Sequence, residues 1–436
     1  DTQSVVSGFV DADNAAQAPR PWVPVFFTVL VLLHLGLLTA ASFFFHRRRQ
    51  AVVEAQERAQ PTARQDTVDP VGRDGYIEDT AGADTVDTVG VDITQAQSPV
   101  DETKVPVPAT ERRGKHLVEL AALTLAGLPV ATFLAALLPW WRAPLAFGVH
   151  LTCIVAVTAV IAVVAQRGPW RRWPLGPATF VATFTAMVLA ADVITGSAMQ
   201  LNSLAGYSPL VAGRFTGFGN LSFAIFAAAL LLSAAYLGQC LIGWRRVTLM
   251  AGMGTAAVIV VGVPSWGSDV GGVIALTPAV LALVLRGAGV RLTTVRAVGC
   301  GAAGLLVVAI FAALDYARPP ADRTHLGRFV AQLFDGSAGV VIRRKAEANL
   351  NLLFNSKLTV LVLAVAAFVI FIAWRRGAGL RRLLGIYPCL RAGMLAVLFA
   401  AAFGFVANDS GIAVPAFMAV LAVPLVIATA LRVLRT

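Results

Sequence analysis

Leu221-Ser-Phe-Ala-Ile-Phe-Ala-Ala-Ala-Leu-Leu-Leu-Ser-Ala-Ala-Tyr-Leu-Gly-Gln-Cys-Leu-Ile-Gly243 carries no charge along its whole length, and Trp244-Arg245-Arg246 follows at once. Roughly 20 apolar residues cross the hydrocarbon core of a bilayer as a helix, so this run is long enough to span. Its other side is Arg214-Phe-Thr-Gly-Phe-Gly-Asn220, polar and rich in glycine. An apolar run with an arginine end and a polar end is the unit from which the rest of the chain is built.

Arginine ends recur at Arg47-Arg48-Arg49, Arg112-Arg113, Arg171-Arg172, Arg291 and Arg296, Arg375-Arg376 and Arg381-Arg382. Such turns mark the cytoplasmic face of a multi-pass protein. The composition agrees: 57% of 436 residues are hydrophobic, 14% are charged, and the mean hydropathy is +0.74. These values predict an all-α polytopic bundle of about 11 transmembrane helices in the plasma membrane, with the N-terminus outside and the C-terminus cytoplasmic. Residues 1–21 read as an extracytoplasmic segment, 22–45 as the first span, 46–115 as a disordered acidic cytoplasmic linker and 116–436 as a ten-helix membrane domain. The outer loops of that domain are 196–220, 264–271 and 315–357.

The net charge of +11 hides a split, because half of the acidic residues fall between Ala51 and Thr110. That stretch is too polar to bury a core and suits a linker or a strip for a cytoplasmic partner along 50–111. The basic remainder faces anionic membrane lipid. No soluble basic domain with interleaved aromatics is present, so no nucleic-acid partner is implied. Four cysteines, Cys153, Cys240, Cys300 and Cys389, lie in or beside apolar runs without metal-ligand spacing, and neither a metal nor another cofactor is indicated.

The polar ends hold the candidate functional residues. In Gln200–Asn220 the glycines permit close backbone approach, Arg214 offers a planar fork to a phosphate or carboxylate, and Asn202, Tyr207 and Asn220 accompany it. Asp269, in Gly267-Ser-Asp-Val-Gly-Gly272, lies between two short spans; it suits both an N-cap and a catalytic base drawn toward the membrane boundary. Asn408-Asp409-Ser410-Gly411 parts two runs that would otherwise nearly fuse, which places Asn408 and Asp409 at the bundle mouth as substrate ligand and base, or as a plain turn. Asp192, near the end of its span, suits a site or an interhelical hydrogen bond. His325 with Arg323 and Arg328 suits acid–base transfer and the holding of an anionic group. The same loop, over Leu326–Phe354, reads as one or two amphipathic helices, with Arg343-Arg344-Lys345 against lipid headgroups.

Two resemblances follow from these residues. Arg214-Phe-Thr-Gly-Phe-Gly-Asn-Leu-Ser-Phe, running into a span, resembles the Arg/Gly-rich Gly-Asn-Pro-Asn segment of the O-antigen ligase and polymerase family, and Gly267-Ser-Asp-Val-Gly-Gly-Val-Ile-Ala-Leu is similar to its Ser-Arg-Gly-Ala-Leu-Leu segment. That resemblance implies a metal-free outer site that transfers glycan from a polyprenyl diphosphate carrier. Leu221 stands in place of the proline and Asp269 in place of the arginine, so only Arg214 and Asn220 carry over. The whole chain, through Leu201-Asn-Ser, Gly206-Tyr-Ser-Pro, Arg214-Phe and Asn408-Asp-Ser-Gly, resembles an uncharacterised group of polytopic membrane proteins of actinobacteria and firmicutes. Some members of that group carry an extracytoplasmic alkaline-phosphatase-like region before the spans, which suits the abrupt start at Asp1.

The functional expectation is an outward-facing polar site acting on a polyprenyl-phosphate-linked or other anionic lipid in cell-envelope biogenesis, as a glycosyl- or phosphoryl-group transferase. Two alternatives stay open at this level: a transporter or flippase of an anionic amphiphile, and a non-catalytic membrane scaffold.

Overall fold

A computed structural model describes residues 11–59, 109–201, 203–207, 216–320, 323, 325–336, 338–374 and 383–433. All regular structure among them is helical. In chain order the helices are α1 Val23–Ala59, α2 Ala109–Ala135, α3 Ala146–Arg167, α4 Gly176–Ile194, the short α5 Ala198–Leu201, α6 Asn220–Gly238 and α7 Gly243–Gly262. They continue with α8 Val270–Gly287, α9 Thr294–Tyr316, α10 His325–Phe334, α11 Ala338–Asn355, α12 Lys357–Trp374, α13 Pro388–Ala407 and α14 Ala413–Val433. Ten helices among the described residues are long and apolar enough to cross a membrane, and the pair of α11 and α12, bent by 75° at its break, raises the number to 11 at most.

Helix α6 is apolar on every side, and a helix of that kind belongs in the middle of a bundle. It is almost wholly buried, with Phe223, Phe226, Leu231 and Leu232 among its enclosed residues. Around it stand α4, α7, α8, α13 and α14, while α8 lies along α13 and α14 along α2. Lipid tails are as apolar as these side chains, so close packing has to supply much of the association. Small residues permit it: a Cβ on Gly393 of α13 would come within 2.5 Å of the Ala235 Cβ of α6. Polar contacts within the apolar zone add to this. His34 of α1 places Nδ1 2.8 Å from the Leu30 carbonyl and Nε2 3.1 Å from the Val420 carbonyl of α14.

The chain alternates between two ends of the bundle. At the end bearing Arg171 and Arg172, the Arg432 guanidinium of α14 donates to buried Glu119 of α2 at 2.6 Å and to the Arg171 carbonyl at 2.5 Å. One residue pair thus ties the last helix to the second and to the turn after α3. At the opposite end Arg142 and the Trp141 indole grip Asp11, the guanidinium through contacts of 2.9 and 2.5 Å, and the carboxylate holds the Arg142 pKa above its ordinary value.

Two elements differ from the sequence expectation. Helix α1 runs through Arg47-Arg48-Arg49 to Ala59 and so takes in the first part of the expected linker. Ala51-Val-Val-Glu-Ala-Gln-Glu-Arg-Ala59 lacks an apolar period but consists mainly of strong helix formers. Helix α2 likewise starts at Ala109, ahead of its apolar run. The rest of the linker, 60–108, lies outside the described residues. The expected amphipathic segment forms two helices, α10 and α11.

Removal of Glu119 would leave the part-buried Arg432 charge with only the Arg171 carbonyl, a change that costs less than the ~3–5 kcal/mol of breaking a fully buried pair. Glu119→Ala is therefore expected to lower the thermal midpoint in detergent, read by scanning fluorimetry. The double variant Glu119→Leu with Arg432→Leu is expected to recover most of the loss. An unchanged midpoint in the single variant would remove the pair from the account of stability.

Candidate functional site

The turn after α4 begins with a carboxylate that its own neighbours need. Asp192 is buried; its Oδ1 accepts from the Met199 N–H at 2.8 Å and its Oδ2 from Gln200 Nε2 at 3.0 Å. Gln200 is fully buried, and its amide faces two ways: the NH2 toward Asp192, and the carbonyl toward the Gly219 N–H at 2.9 Å and the Ser222 hydroxyl. The Gln200 backbone carbonyl also accepts from Tyr207 N at 3.2 Å. One side chain therefore joins the end of α4, the loop and the start of α6.

A second set of bonds brings the next motif alongside. Ser197, itself at φ +65°, accepts the Gly217 N–H on its hydroxyl at 2.8 Å. Phe218 N donates to the Gly267 carbonyl at 2.8 Å, and Gly217 lies at φ +90°, where a Cβ would come within 2.5 Å of that carbonyl oxygen. Only glycine meets both conditions without strain. The chain from Val263 to Asp269 folds back over the end of α7, with Gly267 N on Val260 O at 3.0 Å and Asp269 N on Val261 O at 3.0 Å. Asp269 then caps α8, its Oδ1 accepting from Gly272 N at 2.9 Å. An Asp N-cap meets one of the N–H groups that a helix start leaves unpaired.

Beside this cap stands the Asn408–Gly411 turn between α13 and α14. A Cβ built on Gly271 would lie within 4 Å of both Asp269 Oδ1 and Asn408 Cγ, so the carboxylate and the amide share one corner. Asn220, the first residue of α6, donates from Nδ2 to Ser410 Oγ at 2.5 Å. Asn349 of α11 reaches the same turn: a Cβ on Gly411 would meet its Oδ1 at 2.8 Å, while its Nδ2 points at the Phe405 carbonyl at 3.5 Å. Asn408 is 6% exposed, and its Nδ2 has no hydrogen-bond partner among the described residues; the same holds for the buried Asn349 Oδ1. Tyr207 closes the rim, its ring lying where a Cβ on Gly219 would meet Cδ1 at 2.7 Å.

Of the residues singled out from sequence, Asp269, Asn408, Asn220 and Tyr207 thus belong to one chain of contacts, and Asp409 sits exposed in the same turn. Arg328 lies elsewhere: it is exposed on α10 and donates from Nε to the Arg323 carbonyl at 3.0 Å. His325 opens α10. Asn202 and Arg214 lie outside the described residues. Sequence reasoning did not single out Gln200, Ser197, Ser410 or Asn349 as site residues. Gln200 and Ser197 stood just past an apolar run, where a buried polar group must find partners, and that was their only signal.

The mouth offers amides and hydroxyls that can donate to or accept from sugar and phosphate oxygens, with the Asp409 carboxylate beside them. No group of three or more His, Cys, Asp or Glu placed to hold a metal occurs among the described residues. Comparison with protein-family models, with curated proteins and with solved structures finds no match.

Loss of the Gln200 amide strands the Gly219 N–H and one oxygen of Asp192, while the Ser222 hydroxyl keeps the Gly219 carbonyl as its acceptor. Each buried group left without a partner costs about 1–3 kcal/mol. Gln200→Leu is accordingly expected to lower the thermal midpoint and to open residues 203–207 to limited proteolysis. Wild-type protection of that stretch in the variant would show that the amide does not hold it.

Proposed function

We propose that this chain is a multi-pass plasma-membrane protein whose polar mouth opens on the outer face and acts on a lipid-linked glycan or phosphate in cell-envelope biogenesis, as a glycosyl- or phosphoryl-group transferase. The sidedness follows from the arginines: Arg112-Arg113, Arg171-Arg172, Arg245-Arg246, Arg291 and Arg296 all border the end away from the mouth. That assigns the C-terminus to the cytoplasm and the segment before α1 to the outside.

One observation carries the reading. Asn220, Asp269, Asn349, Asn408 and Ser410 meet at one end of the bundle, and the Asn408 amide is enclosed there without an acceptor among the described residues. Buried polar groups are normally satisfied, so a ligand oxygen is the natural partner for that amide. In this reading Asn408, Asn220 and Tyr207 orient the substrate, and Arg214 holds its anionic group, while Arg328, expected there from sequence, stands away from the mouth. Asp409, exposed to incoming acceptor, takes the proton of the attacking hydroxyl, with His325 assisting. Asp269 holds the corner in shape through its cap on α8. The local resemblance to O-antigen ligases and polymerases points to the same substrate class.

A transporter of an anionic amphiphile would use the same mouth as one gate. The buried Phe223, Phe226, Leu231 and Leu232 of α6 beneath it favour a mouth over a conducting path.

Native mass spectrometry of protein purified in mild detergent tests the proposal. The wild type is expected to retain an isoprenoid phosphate or diphosphate lipid. Asn408→Ala is expected to retain about tenfold less, equivalent to ~1.4 kcal/mol of binding. Asp409→Asn is expected to keep the lipid and to lose transfer to an acceptor sugar. Retention of ordinary phospholipid alone by the wild type, or equal retention by Asn408→Ala, would sink the reading.

A further inference from the structure

Helix α9 carries exposed apolar residues along its length: Leu305, Leu306, Ile310, Phe311 and Leu314. The stripe stops at Leu314, and cationic residues follow within the next turns, at Arg318, Arg323 and Arg328. An apolar stripe that gives way to arginines marks the boundary between hydrocarbon and headgroups, where long cationic side chains reach phosphate. Helix α10 begins at this level and is fastened there: Gly327 N donates to Asp315 Oδ2 at 2.6 Å, in the last turn of α9. Arg318 stands 3.7 Å from the same carboxylate, and the Arg323 guanidinium lies 4.2 Å from the centre of the Tyr316 ring.

Along α10 the helical repeat puts Phe329, Val330, Leu333 and Phe334 on one face and Arg328 and Gln332 on the other. The apolar face is left open at its end, with Leu333 53% and Phe334 78% exposed. Helix α11 continues the pattern: Val340 and Phe354 are exposed, and so are Arg343 and Arg344. Its last turns make an angle of 75° with α12. If α12 crosses the bilayer, that part of α11 runs close to the membrane plane.

We propose that α10 and α11 form an interfacial platform that lies in the headgroup and upper acyl region of an anionic bilayer. Leu333, Phe334 and Phe354 immerse in the acyl chains, while Arg318, Arg328, Arg343 and Arg344 bind lipid phosphates. Charge decides the occupant: Arg318, Arg328, Arg343 and Arg344 are exposed on these segments, and although Arg318 and Arg343 have Asp315 and Glu347 beside them, the cations stay in excess and favour an anionic surface. Asn349, on the same helix as Arg343 and Arg344, reaches the Asn408–Gly411 turn, so the platform sets the depth of the mouth relative to the membrane surface. The inference needs only that the apolar helices cross a membrane; it stands apart from the transferase reading.

Spin labels on single cysteines at Phe334, Phe354 and Arg328, in a background with the four native cysteines replaced by Ser, measure depth by power saturation. The protein is placed in nanodiscs of phosphatidylcholine mixed with phosphatidylglycerol, and a melting curve for each variant checks its fold. Labels at Phe334 and Phe354 are expected in the oxygen-rich acyl region and the label at Arg328 at the headgroups. In a competition between the two lipids, the combined change Arg328→Gln, Arg343→Gln and Arg344→Gln is expected to lower the preference for phosphatidylglycerol several-fold. Three water-exposed labels, spin–spin coupling at Phe334 that reveals a second copy covering it, or an unchanged lipid preference would each overturn the proposal.

Discussion

A peptide N–H or C=O inside hydrocarbon finds no water, and each one left unmet costs several kcal/mol. The helices satisfy that constraint within their own backbone, and the loops satisfy it with borrowed side chains. At the mouth Gln200 meets Gly219 N, Ser197 meets Gly217 N, and Asp269 meets Gly272 N. Every one of these acceptors answers a backbone N–H at or just before a helix start, where the intrahelical ladder has no partner for it. The described backbone at Gly217–Gly219 and at the start of α8 is therefore held by side chains as well as by its own ladder.

The same bonds divide the polar residues into two sets. Asp192, Gln200, Ser197 and Asp269 are engaged with the chain itself and shape the corner. Asn408 and Asn349 present amide atoms that no described group meets, and Asp409 faces outward. At the far end of the bundle Arg432 closes on Glu119 and on the Arg171 carbonyl.

Much of the fold was legible because its signals are local. A run such as Leu221–Gly243 declares a buried or spanning helix by length and apolarity alone, and Asp269 before Val-Gly-Gly declares a helix start. Helix α1 was harder to bound, since Ala51–Ala59 forms helix through propensity and has no apolar face to announce it. The candidate site was legible only as separate motifs. Gln200 bonds residues some twenty positions on, and Asn220 bonds Ser410 across 190 positions, so neither pairing leaves a mark in local pattern. Arg328, grouped with these motifs from sequence, sits on a helix that turns its guanidinium to the Arg323 carbonyl.

By itself the sequence determined that this is an all-helical bundle with apolar helices of spanning length, and which of their ends carry arginine, because hydrocarbon thickness and backbone hydrogen bonding act on each segment alone. Tertiary structure alone decided that Asn220, Asp269, Asn349, Asn408 and Ser410 meet, and that the Gln200 amide ties the end of α4 to the start of α6. Those outcomes depend on which helices stand side by side, and that is set by the packing of small residues such as Gly393 against Ala235, a contact between segments that neither segment specifies on its own.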